Sequence, residues 1–256
     1  MTEVTDWVVL LSAATAAGWV DAVVGGGGLI VLPMLLLVAP GIAPQTALGT
    51  NKLAAVAGTA TAAVTFARKV PLQWRLLVPA AALAAVTAAA GAAAVSLIDR
   101  DLFIPIVLVV LVGVAIFVTA RPSIGITLAT HPPSRRKAIL VIALAAGLIG
   151  AYDGLLGPGT GTFLIITFAT LLGTEFVRAA AMAKVINCGS NIGALIFFGF
   201  TGHVLWALGA AMAVANIAGA VVGSRMALAR GAGFVRVVLL VVVVAMVIRL
   251  GWQQFG

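Results

Sequence analysis

Long apolar stretches that contain almost no charge limit what this chain can fold into. Of its 256 residues, 63% are hydrophobic and only 9% are charged, whereas soluble domains carry about 25% charged residues. One helical crossing of a bilayer needs about 20 apolar residues, so roughly ten helical segments fit in the chain. The sequence therefore predicts an all-α polytopic membrane protein, and it excludes both a disordered chain and an ordinary soluble domain.

The apolar stretches end at short polar or glycine-rich points, which predict ten helical segments. The first five are Trp7–Val24, Leu29–Val38, Gln45–Ala67, Trp74–Ile98 and Leu102–Ala120. The second five are Ala138–Leu156, Thr160–Leu172, Glu175–Phe200, Val204–Ala229 and Phe234–Trp252. The second and seventh segments are short for a full crossing and follow glycine clusters, so they are either re-entrant or spanning.

The two sets of five segments are expected to be copies of one repeat. Asp21 and Asp153 are separated by the same number of residues as Lys52 and Lys184, so the two halves align here without an insertion or deletion. We call this separation the repeat offset. Matched aspartates and lysines at a single offset rarely arise by chance. The repeat offset also relates Trp74 to Trp206, Gly18 to Gly150, Gly25 to Gly157, Gly27 to Gly159 and Gly91 to Gly223. We therefore divide this single membrane domain into repeat 1 (residues 1–120), an inter-repeat loop (121–137) and repeat 2 (138–256).

The distribution of Lys and Arg predicts the orientation, because cytoplasmic loops collect these residues. Three clusters are expected to face the cytoplasm: Arg68, Lys69 and Arg75; Arg121, Arg135, Arg136 and Lys137; and Arg225, Arg230 and Arg236. The amino terminus is then external, and the protein lies in the cell inner membrane. Each repeat contains an odd number of crossings, so the repeats are inverted, as in many secondary transporters. This distribution accounts for the net charge of +8, and no nucleic-acid partner is expected.

Two lysines are exceptional because they lie inside predicted helices. Lys52 and Lys184 lie about 10–14 Å beyond the start of their helices at 1.5 Å per residue. A lysine near the bilayer centre costs about 2.5–3.5 kcal/mol on insertion scales, so it usually faces a cavity or a partner. Their matched positions favour joint binding of an anion. The alternatives are that each lysine extends to the nearer surface or forms a structural pair with an aspartate.

The two acidic residues inside apolar stretches are Asp21 and Asp153, and each precedes a glycine cluster. Both are candidate proton carriers. Each could instead accept hydrogen bonds from the backbone of the glycine turn, or neutralise the nearby lysine. The sequence leaves these alternatives open.

The glycine clusters, Gly25–Gly28 and Gly157–Gly161, predict breaks in helices. Membrane proteins tolerate a break only beside a cavity or within protein, and the helix that follows would direct free N–H groups at an anion. A tight, closely packed turn is the alternative.

On the eighth segment Lys184, Asn187 and Asn191 share one face, although the two amides are also typical of interhelical hydrogen bonding. The complete set of candidate substrate-binding residues is Lys52, Lys184, Asn51, Thr50, Gly27, Gly28, Gly159, Thr160, Gly161, Asn187 and Asn191.

No pattern of a cofactor, metal or catalytic site is present. The single cysteine, Cys188, excludes an internal disulfide and a cysteine-built metal site. We therefore expect a secondary transporter of a small anion, with protons as the candidate coupling ion, rather than an intramembrane enzyme. An anion channel on the same scaffold is the alternative, and saturable, gradient-coupled flux would separate the two. The sequence predicts no oligomeric state.

Motifs in both halves resemble the TauE/SafE sulfite-exporter family. The first half contributes Gly25-Gly26-Gly27-Gly28 and Ala47-Leu48-Gly49-Thr50-Asn51-Lys52. The second half contributes Tyr152-Asp153-Gly154, Gly157-Pro158-Gly159-Thr160-Gly161-Thr162, Ala183-Lys184-Val185-Ile186-Asn187 and Ser190-Asn191-Ile192. The resemblance covers nearly the whole chain. It implies a transporter of sulfur-containing anions, such as sulfite, sulfoacetate or other organosulfonates, that works by proton-linked secondary transport.

Overall fold

In a computed structural model, helices account for the regular secondary structure of the part of the chain that it describes. It describes residues 4–39, 41–95, 97–98 and 134–255, with Ile106, Val109 and Gly113 as isolated positions. The helices of this described part are α1 (Val4–Val24), α2 (Gly28–Val38), α3 (Pro44–Ala67), α4 (Trp74–Val95), α5 (Arg135–Leu155), α6 (Thr160–Leu171), α7 (Phe176–Phe200) and α8 (Trp206–Phe255). Most of the predicted segment Leu102–Ala120 and of the inter-repeat loop lies outside the described residues.

Five helices of the described part are long and apolar enough to cross a membrane, which confirms the predicted all-α polytopic class. They are α1, α4, α5, α7 and the Trp206–Gly231 part of α8. The backbone of Gly231 (φ 69°, ψ −163°) interrupts α8, so the predicted ninth and tenth segments meet there at a kink. α3 has 24 residues and is also long enough to cross, but threonines, Asn51 and Lys52 make it more polar.

The two short helices begin at the predicted glycine breaks. α2 has 11 residues and α6 has 12, so each is about 17 Å long, roughly half the thickness of a hydrocarbon core. Gly25 and Gly157, one repeat offset apart, have φ values of +82° and +87°. Side-chain-bearing residues rarely adopt this left-handed conformation, which explains why glycine ends the preceding helix at both points.

Helix packing connects the two halves of the chain. α1 packs along α8 and α5 along α4, while α3 and α7 contact each other and also pack on α8 and α4, respectively. Glycines allow close approach: Gly18 of α1 lies against the backbone of Asn216, and Gly150 of α5 lies against Ala84. These two contacts occupy equivalent positions under the repeat offset. Small residues at such contacts are typical of membrane helix pairs.

The equivalent helices α3 and α7 run antiparallel. Thr46 in the first turn of α3 lies 3.2 Å from the ring of His203, which follows the end of α7. At the other end, Arg68 after α3 and Glu175 before α7 line one cavity. This arrangement is consistent with an inverted duplication. The inversion itself, and the side of the membrane that each end faces, stay predictions.

Candidate functional site

The first buried ion pair joins Lys52 of α3 to Asp153 of α5. The Lys52 Nζ lies 2.8 Å from Asp153 Oδ1, and the two side chains are only 1% and 2% exposed. The same Nζ donates to Asn191 Oδ1 at 3.1 Å. Asp153 also accepts hydrogen bonds from the hydroxyls of Thr160 and Ser190, each at 2.7 Å. Donors from α3, α6 and α7 therefore enclose this carboxylate.

The second buried ion pair joins Lys184 of α7 to Asp21 of α1. The Lys184 Nζ lies 2.9 Å from Asp21 Oδ2; the lysine is fully buried, but the aspartate side chain is 15% exposed. The Thr59 hydroxyl donates to the same oxygen at 3.2 Å. Repeat 1 has Gly28 and Gly58 at the positions that correspond to Thr160 and Ser190. Because glycine offers no hydroxyl, Asp21 is held by fewer side-chain donors than Asp153.

The two pairs are reciprocal. Each lysine binds the aspartate of the other half, and the repeat offset converts one pair into the other. A buried charge needs a partner, since removing one member of such a pair is strongly destabilising. The sequence left open whether each lysine binds an anion, extends to the nearer surface or pairs with an aspartate. In the structure each lysine pairs with an aspartate. The ammonium groups are not unpaired charges in this conformation.

The glycine breaks of the two halves touch each other. The backbones of Gly25 and Gly161 are in direct contact, so a side chain on either residue would collide with the other. The first turn of α6 is tied to the end of α1 by two hydrogen bonds. Thr162 N donates to Gly25 O at 3.3 Å, and the Thr162 hydroxyl donates to Val24 O at 2.8 Å. Part of the predicted anion-facing helix end is therefore occupied by backbone of the other half.

Most of the predicted site residues gather around these pairs. Lys52 and Thr160 bind Asp153, Asn191 accepts a hydrogen bond from Lys52, and Asn191 Nδ2 donates to Asn187 Oδ1 at 3.0 Å. The remaining positions are distributed as follows: Gly28 lies beside Pro158 and the Asn51 amide, Gly27 packs against the Asp21 side chain, Gly159 precedes α6, and Gly161 meets Gly25.

Thr50 is not part of this group. Its hydroxyl accepts a hydrogen bond from Leu205 N at 3.0 Å, so it supports the connection between α7 and α8.

Three polar contributors were not among the predicted site residues. Ser190 binds Asp153, Thr59 binds Asp21, and the Tyr152 hydroxyl donates to the carbonyl of Pro158 in the glycine turn. Thr59 lies on the same helical face as Lys52, which was a usable signal. Ser190 lies off the Lys184 stripe, so spacing along α7 did not indicate it.

In the described residues, every buried side-chain nitrogen or oxygen has a hydrogen-bond partner, and no group of three or more His, Cys, Asp or Glu forms a candidate metal site. An anion that replaced either carboxylate would give the lysine a new partner of the same charge. Protonation of that aspartate would remove its negative charge and release the lysine. This arrangement can exchange a proton and an anion at one place, without redox or covalent chemistry.

Comparisons with known proteins point to membrane transport. The family model for the sulfite exporter TauE/SafE matches residues 10–250. A protein of Sinorhizobium sp named probable membrane transporter protein ORF9 is 37% identical over 94% of this chain and 90% of its own. Probable membrane transporter protein YfcA of Escherichia coli K12 is 34% identical, covering 97% and 90% of the two chains. A probable membrane transporter protein of Haemophilus influenzae is 31% identical, covering 96% of each. No solved structure matches the chain.

Proposed function

Because the chain belongs to the sulfite exporter TauE/SafE family of membrane transporters, we propose that it carries a small sulfur-containing anion across the cell inner membrane together with protons. Sulfite, sulfoacetate and other organosulfonates are the substrates to test. The observation that carries this proposal is the reciprocal pairing of Lys52 and Lys184 with aspartates of the opposite half. The multi-pass helical fold and the names of the relatives support transport rather than catalysis.

Charge balance explains how such a pair couples two ions. In the resting pair, the ammonium and the carboxylate neutralise each other. When a proton binds the carboxylate, the lysine is left with a positive charge, and an anionic oxygen of the substrate binds it through charge-assisted hydrogen bonds. One proton and one negative charge enter together, so the buried site keeps its net charge. Binding either ion alone would leave an uncompensated buried charge, which costs several kcal/mol.

The differences between the pairs favour Asp21 as the proton-exchanging carboxylate. Its side chain is 15% exposed and has fewer side-chain donors, whereas Asp153 is 2% exposed and enclosed by three. A proton reaches Asp21 more readily, and less must be rearranged to release Lys184. We therefore assign anion binding to Lys184. Lys52 and Asp153 brace the two halves.

The polar face of α7 extends this site. Lys184 lies seven residues before Asn191, about 10 Å along the helix, and Asn187 lies between them. Asn191 contacts Lys52, so this face connects the two pairs. We propose that Asn187 and Asn191, with Asn51 and the glycine turns, provide uncharged hydrogen-bond donors along the path of the anion.

Purified protein in proteoliposomes with a pH-sensitive dye in the lumen tests the proposal. Added sulfoacetate or sulfite should acidify the lumen in a saturable manner, beyond the background of empty liposomes. The Asp21→Asn variant should lose this acidification but retain exchange of labelled anion across the membrane, because asparagine mimics the protonated carboxyl. Asp6→Asn, the same change near the start of α1, is the matched control and should behave as wild type.

Two results would overturn parts of this proposal. Unchanged anion-dependent acidification in both Asp21→Asn and Asp153→Asn would remove the aspartates from the mechanism. Anion flux that neither saturates nor moves protons would identify a channel on the same scaffold instead.

A further inference from the structure

A cavity of about 1080 Å³ lies where α3 ends and α7 begins, and residues 221–231 of α8 form its third side. The charged residues that line it are Arg68, Lys69, Arg225 and Glu175, and all four are exposed. None of the four residues of the buried ion pairs lines this cavity. The lining of this cavity therefore does not overlap with the ion pairs of the proposed transport site.

The inner wall of the cavity is apolar. Val64, Val221 and Leu228 line it together with Thr61 and Thr65. The two threonine hydroxyls donate to carbonyls within α3, at 2.8 Å each, so the hydrogens that could bind an anion are already used inside the helix. From Arg68 back to Ala60, this wall extends for about 12 Å along α3. A path for a hydrated anion would offer more polar groups.

Among residues 4–39, 41–95 and 134–231, the ion pairs are those of Lys52 and Lys184, so no described acidic residue forms an ion pair with the basic groups at the mouth. Three basic groups and one acidic group thus leave an excess of positive charge above an apolar wall. The volume lies just above the range of pockets that hold drug-sized molecules, about 300–1,000 Å³, and is far larger than a sulfite-sized anion needs. The matching ligand is large, anionic at one end and apolar along the rest.

Comparison with the other repeat shows that this charge is specific to one end of the bundle. The repeat offset relates Arg68 to Phe200, Lys69 to Thr201 and Arg225 to Ala93, and none of these counterparts is charged. The preference of cytoplasmic loops for basic residues explains the sign of this difference. It does not explain why three basic residues surround the opening of one apolar cavity between helices.

We propose that this cavity binds an anionic phospholipid of the surrounding membrane. Arg68, Lys69 and Arg225 contact the headgroup phosphate, and an acyl chain lies along the wall formed by α3 and α8. Basic pockets between membrane helices bind anionic headgroups in this way. The site joins the end of α3 to the start of α7, the helices that carry Lys52 and Lys184. The bound lipid therefore stabilises the packing of the two helices on which the buried pairs depend.

Native mass spectrometry of the purified protein with phosphatidylglycerol, phosphatidylcholine or glycerol phosphate tests this site. Phosphatidylglycerol should bind and raise the Tm, whereas phosphatidylcholine and free glycerol phosphate should not. Replacing Arg68, Lys69 or Arg225 by Gln should weaken phosphatidylglycerol binding about fivefold each, as expected for one basic residue at a membrane surface. The control removes three positive charges elsewhere, as many as the three single variants together, with Arg135→Gln, Arg136→Gln and Lys137→Gln combined, and should still leave binding within twofold of wild type.

A second variant tests the apolar wall without altering charge. Val221→Trp should fill the groove and reduce phosphatidylglycerol binding by at least the effect of one basic residue. If the control triple variant weakened phosphatidylglycerol binding as much as the cavity variants do, binding would be diffuse electrostatic attraction rather than occupation of this cavity. Equal binding of phosphatidylcholine, competition by glycerol phosphate, or full binding by Val221→Trp would each overturn the lipid assignment.

Discussion

At the scale of single residues, two lysines determine which other side chains the core requires. Lys52 and Lys184 are among the largest fully buried side chains of the described part. A buried ammonium is tolerated only with a partner and with its protons in hydrogen bonds. Asp153 and Asn191 accept hydrogen bonds from Lys52, and Asp21 is the charge partner of Lys184 and accepts a hydrogen bond from it. These polar groups therefore act in stability as well as in the proposed transport.

Truncating Lys52 should destabilise the protein more than removing its whole charge pair. Lys52→Ala leaves the Asp153 carboxylate buried without its counter-ion, which costs about 3–5 kcal/mol. The double variant Lys52→Gln with Asp153→Asn removes both charges and should recover most of that loss. Thermal unfolding in detergent measures the difference, with Lys137→Ala at the start of α5 as the control. A Lys52→Ala variant as stable as wild type would show that the pair is not buried as described.

At the scale of the element, the short helices depend on the glycines that precede them. Gly25 combines a left-handed backbone with direct contact to Gly161 of the other half. Gly202 has a similar φ of +76° but has nothing within 4 Å of an added side-chain carbon, and Gly41 has neither constraint. These three positions separate backbone strain from close packing.

The three alanine variants should therefore rank in order of the constraints they violate. Gly41→Ala should be neutral, and Gly202→Ala should cost roughly 1–2 kcal/mol from the left-handed backbone alone. Gly25→Ala should cost more than Gly202→Ala, because the added methyl group also pushes apart the backbones of α1 and α6. Folded yield and Tm measure this order. If Gly25→Ala lowered the Tm no more than Gly202→Ala does, the contact between the two glycine breaks would contribute nothing to stability.

At the scale of the whole molecule, the antiparallel arrangement of α3 and α7 makes a prediction about topology. The basic residues after α3 and those at the start of α5 should both face the cytoplasm, and the start of α1 should face outside. Single cysteines introduced at Arg135, at Lys69 and at Asp6 in a Cys188→Ala background report this. An impermeant thiol reagent added to intact cells should label the Asp6 position alone. Labelling of the Arg135 position from outside would contradict both the orientation and the inversion of the repeats.

Much of the architecture was predictable because it depends on local composition. Apolar runs of about 20 residues form membrane helices wherever they occur, so α1, α4, α5 and α7 lie close to their predicted bounds. Glycine is the residue that ends a helix in the left-handed conformation, so the breaks before α2 and α6 were also predictable. The repeat offset indicated which residues are equivalent, and it drew attention to the lysines and aspartates as matched sets.

The sequence by itself thus determined the described helices and their breaks, and it gave the shared offset that matches Asp21 with Asp153 and Lys52 with Lys184. Only the tertiary structure decided that each lysine binds the aspartate of the other half. Lys184 and Asp21 are 163 residues apart, and spacing along one helix reports only neighbours three or four residues away. The sequence also could not predict that Asp153 is bound by more side-chain donors than Asp21, because this difference depends on hydroxyls that α6 and α7 bring to Asp153 through packing. In a bilayer, where a buried charge must find its partner within the protein, that packing determines which charges are paired.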